Sequence, residues 1–175
     1  MVKIKHCIPI GLGVVLSLSS AKNDNSEQLM RESLSSIYGA EMLDGRQLPI
    51  DSLSGRMVLL NFWASYDAES RINNYRLVDM SERYGQTTFC RGNGLKVVSI
   101  SLDRFRSPLR KAISMDGTQD FYHICDFKGK DSDILKDFGV SSPINILIDA
   151  DGNVVSRDFE LENIESTLNL LAENK

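Results

Sequence analysis

The chain has 175 residues, 42% of them apolar and 25% charged, enough for one domain that buries a single core without metal or a set of disulfides to hold it. Its formal charge of −4 offers no surplus of Lys and Arg to neutralise phosphates, which excludes nucleic acid as a partner.

In chain order, Lys3, Lys5 and His6 precede an apolar run from Cys7 to Leu18, and Ser19-Ser20-Ala21 follow. Basic start, short apolar stretch and small residues form the pattern of a secretory signal peptide, with cleavage expected after Ala21. The run is well short of the roughly 20 residues a spanning helix needs, and Pro9, Gly11 and Gly13 interrupt it. The alternative is an uncleaved N-terminus that anchors the chain in the membrane. Cys7 stands at the beginning of the run, where lipid attachment does not use it. Processing leaves 18 basic against 24 acidic residues and two cysteines, Cys90 and Cys125, in a periplasmic or extracellular compartment that permits a disulfide between them.

The expected organisation is a signal peptide over 1–21, a flexible tether over 22–37 and one domain over 38–175, with no transmembrane span in the mature chain. Ala40 to Ser54, with Asp44-Gly45 and Pro49, predicts a β-hairpin. Met57 to Trp63 is almost unbroken apolar sequence and predicts a central strand buried on both faces. Asp67 opens a helix to about Tyr84, with Ile72, Tyr75, Leu77 and Val78 as its apolar side. The Gly92-Asn93-Gly94 loop leads into a second strand, Leu95 to Leu102. Ser107-Pro108 reads as a cap and first helical residue of a helix ending near Gly117. A short strand at Phe121 to Cys125, a short helix at Asp131 to Phe138 and an apolar strand at Ile144 to Ile148 follow. Asp151-Gly152 turns the chain into a strand at Val154 to Arg157. Leu161, Ile164, Leu168 and Leu171 fall at helical spacing and predict an amphipathic last helix. The sum is an α/β fold: a central mixed sheet flanked by helices, with an N-terminal hairpin and a helix-strand insertion between the second and third core strands.

Three ordered motifs carry a family resemblance: Val58-Leu59-Leu60-Asn61-Phe62-Trp63-Ala64-Ser65, Val97 to Asp103, and Gly139-Val140-Ser141-Ser142-Pro143 followed by Ile146 to Gly152. Over residues 38 to 173 the chain resembles the thioredoxin-like proteins of the TlpA/ResA and AhpC/TSA (redoxin) type. The resemblance implies a thioredoxin fold, and a Trp-Cys-x-x-Cys redox centre where this chain reads Tyr66-Asp67-Ala68-Glu69-Ser70. Asp67 stands for the first Cys and Ser70 for the second, so the redox site is degenerate and no catalytic residue is expected there. The family's first Cys gains its reactivity at a helix N-terminus, where free N–H groups and the dipole favour a thiolate. A carboxylate suits the same field but forms no mixed disulfide.

The resemblance also matches Pro143 to the family's cis-proline and Ser142 to the residue that offers its backbone to an extended partner. Trp63, Tyr66, Asp67, Ser142 and Pro143 are therefore the expected groove for a protein or peptide; the alternative for Trp63 is pure core. The expected function is an envelope thioredoxin-like module that binds without dithiol chemistry. The alternatives are a thiol-disulfide oxidoreductase or peroxidase-related enzyme using Cys90 and Cys125, and a structural subunit of an envelope assembly. No cofactor or metal is expected: His123 has no Cys or His at metal spacing, and Asp149 to Asn153 has its Gly too early for a calcium loop, so it reads as a turn. Arg104, Arg106, Arg110 and Lys111 form a basic cluster that an acidic partner suits.

Overall fold

The computed structural model describes residues 37–173, so the expected signal peptide, Cys7 and the tether up to Ser36 lie outside the described residues. The elements run β1 (Met57–Trp63), α1 (Ala68–Tyr84), β2 (Thr88–Phe89), β3 (Gly92–Asn93), β4 (Leu95–Ser101), α2 (Arg106–Asp116), β5 (Tyr122–Ile124), α3 (Asp133–Asp137), β6 (Ile144–Ile148), β7 (Val154–Asp158) and α4 (Leu161–Leu171). Five strands form one mixed sheet in the order β5-β4-β1-β6-β7. All seven residues of β1 are buried, as an apolar run with partners on both edges and layers on both faces requires.

Side chains alternate across the pleat and split the core in two. Val58, Leu60 and Phe62 pack with Val98, Ile100 and Ile146 beneath α3 and the 37–53 segment. Met57 and Leu59 pack on the other face against Leu77, Met80 and Tyr84 of α1 and Leu161, Ile164, Leu168 and Leu171 of α4. The four periodic residues of α4 are each at most 2% exposed, so its amphipathic pattern carries through to the packing.

Several local expectations change. The 40–54 hairpin contracts to a tight turn with one bridge, Glu41 to Gln47, while Met42 bridges instead to Ile124 on β5; beyond it the chain enters a 3₁₀ turn at Ile50–Ser52. The loop before β4 contains the small β2–β3 hairpin. On α1, Ile72 and Tyr75 are 61% and 55% exposed, and the inward side is Ser70, Asn74, Leu77, Met80 and Tyr84. Two polar residues occupy that side because hydrogen bonds await them, as described below. Helix α2 begins before Ser107, with Phe105 at its N-cap and Pro108 at the third helical position, where its missing N–H is still one of the helix's unpaired donors. It ends where Gly117 takes a left-handed conformation (φ 75°) and bonds back to Ile113 O.

Candidate functional site

The site grows from the C-terminal end of β1. Parallel register sets Trp63 opposite Ser101 on β4, so the loop after β1 runs beside the loop after β4. The two are tied through Asp103, 2% exposed. Its carboxylate accepts hydrogen bonds from Ser65 N (2.9 Å), Ser65 Oγ (2.5 Å) and Ser101 Oγ (2.7 Å). Three donors on one buried carboxylate compensate its loss of water and fix the approach to α1.

Asp67 is the N-cap of α1, extended at φ −94° and ψ 119°, and its Oδ2 accepts the Ser70 amide at 2.8 Å. This satisfies one of the helix's unpaired donors, and Glu69 in the first turn adds charge of the sign the dipole favours. Ser70 turns inward, 3% exposed, with its Oγ accepting the Ala64 amide at 3.5 Å. On the other side of β1, antiparallel register pairs Phe62 with Ile144, so the 142–143 segment enters β6 at the end of the sheet where β1 leaves it. Ser142 is exposed and Pro143 half-buried, and Tyr66 is 71% exposed. Tyr66, Asp67, Ser142 and Pro143 therefore lie on segments at the same end of the sheet.

Two expectations for this end are corrected. Trp63 is 1% exposed and packs under Leu109, Ala112 and Ile113 of α2, so it is core and lines no groove. No peptide bond among the described residues is cis; the Ser142–Pro143 bond is trans, the form ordinary X–Pro bonds favour by about 0.5–1 kcal/mol.

No protein-family model matches the chain, and no curated protein does. Among solved structures, a thiol-disulfide oxidoreductase from Bacteroides fragilis superposes with a TM-score of 0.65 at 27% identity, covering 74% of this chain and 93% of that one. The chain is a thioredoxin-like protein. A thioredoxin-like protein from Parabacteroides distasonis is 28% identical, with a TM-score of 0.56 over 66% of this chain and 81% of its own. A secreted disulfide oxidoreductase from Mycobacterium tuberculosis, 17% identical with a TM-score of 0.63 over 80% of this chain and 98% of its own, shares the fold.

In this thioredoxin-like chain Cys90 and Cys125 stay apart. Cys125 carries a free thiol, so the Cys90–Cys125 disulfide that the sequence left possible is not formed. Cys90 lies in the hairpin before β4 begins, its N–H bonded to Leu171 O, and Cys125 lies past β5, its Sγ on Asp103 O at 3.5 Å where β4 has ended. The seven residues of β4 lie between, a span of about 20 Å where a disulfide needs Cα atoms about 6 Å apart. Burial pushes the Cys125 thiol above its ordinary pKa, away from the thiolate. His123 donates from Nε2 to Thr118 O at 2.7 Å, and burial lowers its pKa. The Asp149 carboxylate accepts the Asp151 and Asn153 amides, which makes the 149–153 segment the expected turn. No cluster of three metal-ligating side chains occurs among the described residues.

A polar relay that sequence reasoning missed backs the site. Arg71 reaches both oxygens of Asp116 on α2 at 2.5 Å, and Asn74 Nδ2 donates to the same carboxylate at 2.8 Å. Asn61 of β1 reaches Asn74 at 3.3 Å. The signal was the i, i+4, i+7 spacing of Ser70, Asn74 and Leu77, one helical face that reads as buried only if polar residues are admitted to it. Two cavities, of about 430 and 210 Å³, open elsewhere, one beside Arg110, Phe121 and His123 and one beside Leu48, Leu53 and Val58. Neither is lined by Tyr66, Asp67, Ser142 or Pro143.

Proposed function

We propose that this chain is an exported thioredoxin-like module that binds a protein or peptide at the Tyr66, Asp67, Ser142 and Pro143 end of the sheet and exchanges no disulfide there. One observation carries the reading: positions 67 and 70 are joined by a carboxylate-to-amide hydrogen bond of 2.8 Å at a helix start. The helix N-terminus holds an anion, but an anion of oxygen, which cannot attack a disulfide. Around it, the exposed Tyr66 and Ser142 offer contact area and backbone to an extended partner. The charged, apolar and small residues that open the sequence support export.

The mature protein is expected to give no turnover in an insulin-reduction assay; turnover comparable to a dithiol thioredoxin overturns the reading. The names of the solved relatives favour an oxidoreductase instead, and the same assay decides against it if the protein is inert. The converse experiment restores sulfur. Asp67→Cys with Ser70→Cys is expected to create a dithiol whose first thiol has a pKa below the ordinary value of about 8.5, because the helix start is already built. A folded double variant with an ordinary thiol pKa, followed by thiolate absorbance, counts against this placement of the site.

A further inference from the structure

One register of the sheet is polar on every strand. Asn61 of β1 pairs with Ser99 of β4 on one side and with Asn145 of β6 on the other. Ser99 pairs in turn with His123 of β5, and Asn145 with Asp158 of β7. Residues paired in register share a face of the sheet, and Asn61 shows which one, since it reaches Asn74 on α1. One pleat earlier that face is Val97, Leu59 and Leu147, the apolar packing that a core beneath helices calls for. The polar row is equally deep: Ser99, Asn145 and Asn61 are 1%, 2% and 4% exposed.

Protein partners satisfy most of the row. Asp158 accepts from the Glu160 amide and from Asn163, His123 is bonded to Thr118 O, and Asn61 to Asn74. Two atoms of the row are buried with no hydrogen-bond partner, Ser99 Oγ and Asn145 Oδ1. The orientation of the Asn145 amide is fixed, because Nδ2 donates to Phe159 O at 3.1 Å and the reverse would set two acceptors against each other. The Ser99 hydroxyl has no partner within reach whichever way its hydrogen turns. A third such atom among the described residues, Trp63 Nε1, packs with apolar side chains of α2 and lies outside the row.

We infer that this register binds two internal waters, one on Ser99 Oγ and one on Asn145 Oδ1, on either side of Asn61. Buried polar atoms in folded proteins are satisfied by protein or by ordered water, and such a water is held by two to four polar groups. Side chains paired in register stand about 5 Å apart, close to two water hydrogen bonds of about 2.8 Å laid end to end. The Asn61 amide supplies a second contact to both waters: it has four hydrogen-bonding positions, and Asn74 occupies one. An ion does not fit, because Ser99, Asn61 and Asn145 are all neutral and none offsets its charge. The waters carry the Arg71, Asp116, Asn74 and Asn61 relay on to β4 and β6. The first turns of α1 therefore rest on a hydrated polar layer, and its apolar seat begins at Leu77. The inference goes beyond the binding reading and does not depend on it.

Oxygen-17 relaxation dispersion of the folded protein counts the waters that stay bound longer than the molecule takes to tumble. Ser99→Ala and Asn145→Leu are each expected to hold one such water fewer than the parent. Asn145→Leu also gives up its bond to Phe159 O, so Ser99→Ala, which gives up no other contact, carries the decision. Its thermal shift separates the alternatives by sign. Removing a dry, orphaned hydroxyl relieves the fold and raises Tm, whereas removing a hydrated one takes a partner from the bound water and is expected to lower Tm by about 3 °C. An unchanged water count in Ser99→Ala, or a Tm that rises, overturns the inference. The binding reading falls separately, on turnover in the insulin assay.

Discussion

Asp116 has no exposed side-chain surface, yet its carboxylate sits between two helices with Arg71 and Asn74 donating to it. Removing one partner of such a group leaves the others buried without their acceptor, which costs several kcal/mol, whereas replacing the whole set by apolar side chains of like volume is close to neutral. Asp116→Ala is therefore expected to lose about 3 kcal/mol of folding stability in urea titration. Arg71→Met, Asn74→Leu and Asp116→Leu together are expected to recover most of that loss. A triple variant as unstable as the single one would show that the relay does more than satisfy its own members. The sequence made Asp67 legible as a helix cap, because capping is local. Asp116 was not legible: it lies 42 residues from Asn74, and nothing in either neighbourhood announces that they meet.

At the scale of elements, the strands buried on both faces were legible from their apolar runs, and β6 begins and ends where its run does. The start of α2 was not, because Ser107-Pro108 is a good cap signal overridden by the loop that Asp103 fixes upstream. Strand β5 is the short edge of the sheet, and its His123 gives it a pH dependence. Burial holds the ring below its ordinary value of 6.5, outweighing the Thr118 carbonyl that favours the charged form. Below about pH 6.5 the unfolded chain takes up a proton that the folded ring resists. The stability this group confers is thus fully present above that pH and is lost as pH falls through the folded-state value. The urea midpoint is expected to drop between about pH 7 and 5, and to drop less in His123→Gln, which keeps a donor for Thr118. The exposed carboxylate of Asp133, held to about 2 by Lys128 and Lys136, titrates below that window. An identical profile for variant and parent would remove His123 as the cause.

For the whole molecule, topology decides where rigidity lies, and rigidity reaches the proposed site. The order of motifs in the sequence made the thioredoxin-like arrangement readable, since apolar runs and turn residues report burial and reversal directly. That Cys90 and Cys125 stay apart was not readable, because it depends on their lying at opposite ends of β4. In the assembled sheet β1 is hydrogen-bonded along both edges and covered on both faces, whereas β7 has no fully buried residue and β5 has one. Amide exchange should follow that gradient, with Leu59 to Phe62 opening only in global unfolding and Tyr122 to Ile124 and Val154 to Asp158 opening by smaller events. Ser65 tests whether the site shares the rigidity of the core. Its amide lies in a loop, but it donates to a buried carboxylate that is also bonded to Ser101 at the end of β4. Its protection, measured by exchange of the folded protein in native buffer, is expected to approach that of β1. In Asp103→Ala it should fall by roughly a hundredfold or more while β1 stays slow. Rapid exchange at Ser65 in the parent protein would mean that Tyr66 and Asp67 ride on a loose loop, and that the surface they form is not held ready for a partner.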